Sequence, residues 1–173
     1  MKPLALLLLL LSFPLTAQQR NEVAVSFGRT EFETAGDTPA VGASYNRFWT
    51  RYVSTRAGIF SAGEDRNADG FHGETRFTTV YATVEYHPFR GRLLSPRAAG
   101  GLAAARFHDE FAGVGQTDSQ VLGIFGAGVD VNLTRRFALG LELSYLPFNP
   151  EPRDRFSAAL NPLTTLASAR FRW

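Results

Sequence analysis

Phe137-Ala138-Leu139-Gly140-Leu141-Glu142-Leu143-Ser144-Tyr145 decides the fold. Its odd positions read Phe, Leu, Leu, Leu, Tyr, and its even positions read Ala, Gly, Glu, Ser. Successive side chains of an extended chain point to opposite faces, so this alternation marks a strand with one apolar face and one small, polar face.

The same pattern recurs on either side. In Val80–His87 the even positions are apolar or aromatic and the odd ones mostly polar. Phe125, Ala127, Val129, Val131 and Leu133 share a face opposite Gly126, Gly128, Asp130 and Asn132. Leu163, Thr165, Ala167, Ala169, Phe171 and Trp173 lie opposite Thr164, Leu166, Ser168, Arg170 and Arg172. No sustained helical period occurs after the N-terminal segment. The pattern predicts eight strands near 22–32, 39–48, 51–61, 76–87, 95–107, 119–132, 136–146 and 160–172. Short connections (Trp49-Thr50, Pro88–Leu94, Leu133–Arg135) alternate with longer ones at 33–38, 62–75, 108–118 and 147–159. An even strand count with short turns at one end and long loops at the other predicts an all-β, eight-stranded antiparallel up-and-down barrel.

The N-terminus reads as an export signal. Lys2 precedes an apolar run from Leu4 to Leu15, and Thr16-Ala17 comes before polar Gln18-Gln19-Arg20. The run is too short for a spanning helix of about 20 residues, and Pro14 interrupts it. The expected organisation is a signal peptide over 1–17 and one barrel domain over 18–173. With no cysteine, disulfide scaffolds, thiolate metal sites and cysteine nucleophiles are excluded. Lys2 is the only lysine, and once it is removed arginine and acid nearly balance. That excludes nucleic-acid binding driven by phosphate neutralisation.

Two features predict that the apolar face meets lipid. The other face is small as well as polar (Ala24, Ser26, Gly28; Gly42, Ser44, Asn46), which suits the narrow interior of eight strands. The aromatics also gather near strand ends. Tyr45, Phe48, Trp49, Tyr52, Tyr86, Phe89, Phe137, Phe171 and Trp173 cluster toward the short turns. Phe32, Phe60, Phe77, Phe107, Phe111, Tyr145 and Phe148 lie toward the long loops. The reading is two interfacial belts on a transmembrane barrel. A soluble periplasmic barrel holding an apolar ligand would invert the faces. Most acids fall in or beside the long connections, whereas arginines dominate the short-turn end, where Glu22 is the only acid.

On the signal peptide, the eight-strand layout and the ending Ala167-Ser168-Ala169-Arg170-Phe171-Arg172-Trp173, residues 18–173 resemble the small outer-membrane β-barrel proteins of the OmpA/OmpX type, the outer membrane protein beta-barrel domain group. The resemblance implies the bacterial outer membrane, a monomer without a cofactor, and contact with outer-membrane lipid and lipopolysaccharide. It also implies a C-terminal signal, Phe171 and Trp173, read by the barrel assembly machinery.

Strand parity turns Arg56, Glu85, Arg97, Asp130, Glu142 and Arg170 into the lumen, where buried charges must pair. They are expected to plug the barrel, with a gated pore as the alternative. Asp65, Asn67, Asp69 and Gly70 match the opening of a calcium loop. The twelfth position is Arg76 and Glu74 comes two residues early, so a solvated acidic loop is the competing reading. His72 and His108 are expected in loops and His87 before a turn proline, with no nucleophile–base–carboxylate set. The expected role is non-enzymatic, structural or surface-interacting, with a lipid A-modifying enzyme on the same barrel as the alternative.

Overall fold

A computed structural model describes residues 20–32, 36–68, 71–111, 114–147 and 162–173. They form eight strands: β1 (Asn21–Phe32), β2 (Gly36–Phe48), β3 (Val53–Ala68), β4 (Phe71–Tyr86), β5 (Leu94–Phe111), β6 (Val114–Asn132), β7 (Phe137–Tyr145) and β8 (Leu163–Arg172). Each strand pairs antiparallel with its sequence neighbour, and β8 returns to β1 to close the barrel. The seam runs from Glu22↔Arg172 to Glu31↔Leu163. Closure leaves no row of backbone amides and carbonyls facing lipid, the condition a spanning sheet has to meet.

The alternation quoted above becomes the two faces of the wall. On β7, Phe137, Leu139, Leu141, Leu143 and Tyr145 are exposed outward, while Ala138, Glu142 and Ser144 are buried. Val23, Val25 and Phe27 on β1 and Val80, Val84 and Tyr86 on β4 continue the apolar outer band. Tilted strands of this length cover the roughly 25 Å apolar height of an outer membrane.

Two expectations are corrected. The connections read as loops at 62–75 and 108–118 are largely strand. β3 and β4 stay paired from Gly63↔Arg76 up to Ala68↔Phe71, and β5 and β6 up to Phe111↔Val114. Backbone hydrogen bonds extend a ladder whatever its side chains. The sequence there is mostly polar at odd and even positions alike, so no apolar alternation reveals it. β3–β6 therefore rise well above β7, β8 and β1. His72 and His108 lie in β4 and β5, not in loops.

The second correction concerns the aromatics of the long-loop end. Phe32, Phe60 and Phe77 point into the lumen with Ala62, Ala103, Ile124, Leu146 and Leu166, and Phe107 packs against this cluster. Phe77 meets Phe32 edge-on at 5.6 Å between ring centroids and lies 6.0 Å from Phe60. Parity explains the placement: Phe32, Phe60 and Phe77 share their strand faces with Glu22, Arg56 and Glu85. Tyr145 faces outward as expected. Phe148 lies outside the described residues, as do residues 1–19, and the side chain of Phe111 is not described. At the short-turn end Tyr45, Trp49, Tyr52, Tyr86, Phe89, Phe137, Phe171 and Trp173 are exposed, whereas Phe48 is buried in the barrel mouth.

Candidate functional site

The lumen has two storeys. Its long-loop half is the aromatic and aliphatic cluster just described; its short-turn half is charged. The six charges picked out by strand parity all meet there. Arg56 donates to Glu142 at 2.7 Å and lies 3.2 Å from Glu85. Arg97 sits among three carboxylates: it donates to Glu142 at 2.6 Å and to Glu85 at 3.0 Å, and its Nε is 3.5 Å from Asp130. The Arg170 Nε is 3.1 Å from Asp130. All six are buried.

Sequence reasoning missed part of this network. Glu22 is fully enclosed and accepts from Arg170 at 2.8 Å and from Arg172, which also reaches Asn132 and Asp130. Both stand near strand ends, where alternation alone does not choose between lumen and rim, although their parity matches the inward face. Asn46 donates to Glu85 at 2.6 Å, which brings β2 into the cluster. Four arginines thus face four carboxylates, one or more groups from every strand. The cluster is electrically neutral within itself, as charges removed from water require.

Below it, the turn after β4 folds across the mouth. His87 Nε2 lies 3.0 Å from Ser54 Oγ and 3.2 Å from Glu85 Oε2, and its ring is 5.1 Å from that of Phe48. The Arg90 guanidinium lies 3.4 Å from the Phe48 ring centroid. Burial, followed by the nearby Arg172 charge, lowers the Arg90 guanidinium to about 10, so it stays protonated at neutral pH.

The model of the outer membrane protein beta-barrel domain matches residues 4–162. The chain belongs to that family. Among solved structures, this outer-membrane barrel is similar to Ail, the attachment invasion locus protein of Yersinia pestis, solved in complex with the heparin analogue sucrose octasulfate. They share 11% identity at a TM-score of 0.67 over 90% of this chain and 99% of that one. It is also similar to the outer membrane protein OprG of Pseudomonas aeruginosa, at 9% identity and TM-score 0.66 over 90% and 97%. Neisserial surface protein A gives 10% identity and TM-score 0.64 over 88% and 96%. Identities this low establish the common fold alone. No curated protein matches the chain.

The remaining candidate residues of this outer-membrane barrel are placed as follows. Ser54, His87 and Glu85 form a contact set the sequence did not suggest. The same imidazole nitrogen faces both the hydroxyl and the carboxylate, whereas a catalytic relay needs one nitrogen for each. Asp65 and Asn67 lie along β3, and Glu74 pairs with Asp65 across the ladder. Asp65 and Asn67, two residues apart on an extended strand, stand about 7 Å apart, in place of the convergence of alternate residues that a calcium loop provides. Asp69 lies outside the described residues, and no group of three potential metal ligands occurs among those described. Phe171 faces outward from β8 and Trp173 follows it, stacked at 6.1 Å between centroids. The Trp173 backbone exchanges hydrogen bonds with Asn21 across the seam.

Proposed function

We propose that this outer-membrane barrel is a non-conducting, non-enzymatic protein whose work is done on its surface. The observation that carries the reading is the filled lumen: side chains as large as Arg170 and Phe77 are fully enclosed between eight strands, charge-paired in one storey and close-packed in the other. Eight strands leave room for side chains but none for an aqueous channel. In this reading residues 1–17 are removed on export, both ends of the monomeric chain face the periplasm, and Phe171 and Trp173 present the C-terminal strand to the assembly machinery. The raised, acidic β3–β4 and β5–β6 hairpins meet lipopolysaccharide, cations or another surface outside.

The test is electrical. Mature protein folded into a planar bilayer should give no stable open-channel current, and outer membranes from expressing cells should contain lipid A of unchanged mass. Steady conductance would refute the sealed lumen, and a new lipid A species would move the protein to the enzymes.

A further inference from the structure

The arginines left outside the lumen at the short-turn end form a pattern of their own. Arg20 stands just before β1, Arg47 and Arg51 flank the β2–β3 junction, Arg92 lies in the β4–β5 junction, and Arg135 and Arg136 lie in the β6–β7 junction. Every junction at that end therefore carries a guanidinium. None of the six has a carboxylate partner among the described residues. The acids of this half, Glu22, Glu85, Asp130 and Glu142, are turned inward and committed to luminal arginines. At the opposite end Arg29 pairs with Asp37 at 2.8 Å and with Glu31, and Arg76 pairs with Glu74, while Arg106 has no carboxylate partner among the described residues.

Two of the turns are the same device. In Trp49-Thr50-Arg51-Tyr52-Val53 the Thr50 hydroxyl accepts from the Tyr52 and Val53 amides; in Leu133-Thr134-Arg135-Arg136-Phe137 the Thr134 hydroxyl accepts from Arg136 and Phe137. In both, two amides converge on the last residue's carbonyl. Each turn ties up four of its own amides and presents arginine at its tip. Three guanidinia also rest on exposed belt aromatics: Arg47 is 4.9 Å from the Trp49 centroid, Arg51 5.6 Å from Tyr52 and Arg92 5.1 Å from Phe89. Belt aromatics sit at headgroup depth. Stacking fixes the plane of a guanidinium and leaves its edge donors free for two oxygens of one phosphate.

We propose that this collar binds the phosphates of acidic phospholipids in the leaflet that meets the short turns. Lipid fits better than a soluble polyanion because the cations are spread over every junction around the barrel, three of them against belt aromatics, where lipids form a ring, while a polymer would contact one side. The inference rests on the membrane-embedded reading above.

Trp49 and Trp173, the only tryptophans, both stand at this end and serve as the probe. Folded full-length mature protein in neutral detergent would be titrated with brominated phosphatidylglycerol and, separately, brominated phosphatidylcholine. Quenching should occur at lower mole fraction with the acidic lipid and be reversed by salt. The preference should fall by about fivefold per arginine removed, in R135Q/R136Q and independently in R51Q. R106Q, at the other end, should keep it. Equal quenching by both lipids, or an unchanged preference in the variants, would overturn the collar. Displacement by inorganic phosphate or heparin at equal charge would overturn lipid as its ligand. A heat-dependent gel shift in each variant shows that the barrel is intact. A wild type that is water-soluble without that shift would refute the membrane reading, and the collar with it.

Discussion

Arg97 touches Glu85, Asp130 and Glu142 at once, so its removal would leave buried carboxylates with too few cations. R97M should destabilise the barrel by about 3–5 kcal/mol in urea titrations from lipid vesicles. R106M, on the exposed outer wall, should change stability by less than about 0.5 kcal/mol. A second pair of neighbours separates the two faces without charge. A methyl group at Gly101 would run into the carbonyl oxygen of Ala82, while at Gly100 it would meet only the edge of Phe125 at 3.9 Å. G101A should cost about 1–3 kcal/mol in the same titration, and G100A should be neutral or slightly stabilising. At this scale the sequence was informative wherever parity could be counted from the middle of a strand, as for Arg56 or Glu142. It was ambiguous for Glu22, Arg172 and Phe48, because a terminal residue can belong to the lumen or to the rim and alternation alone does not choose.

A strand is legible while one of its faces meets lipid and the other the lumen. β7 was read almost to the residue for that reason. The upper parts of β3–β6 were not, since a two-sided polar ladder has no apolar rhythm. Phe32, Phe60, Phe77 and Phe107 turn toward the lumen because parity, and not proximity to a strand end, sets the face of a side chain. These differences can be measured. L141R places a guanidinium in the middle of the outward face of β7 and should cost about 2–4 kcal/mol in vesicle unfolding. F77A empties the luminal cluster and should cost about 3–5 kcal/mol, since nothing inside the barrel can replace the ring. Replacing residues 66–73 by Asn-Gly joins the ladder partners Asp65 and Glu74 through a two-residue turn. The shortened chain should keep its heat-dependent gel mobility; losing it would make the raised hairpin part of what holds the barrel closed.

For the molecule as a whole, strand number, closure and orientation of the wall all followed from periodicity, and the family assignment agrees. What one sequence does not contain is the way charges meet across the lumen. Arg56 on β3 reaches Glu142 on β7, four strands away. In a flat sheet those strands would stand about 19 Å apart. Arg170 reaches Glu22 only after the last strand has found the first. The pairs therefore constrain the order of events during assembly. A curled but unsealed sheet leaves Glu22 without both of its arginines, which is tolerable while water still fills the concave side and costly once lipid or protein expels it. Drying of the interior must wait for the seam, so insertion of this chain should proceed in a single late step, with no long-lived half-barrel in the bilayer.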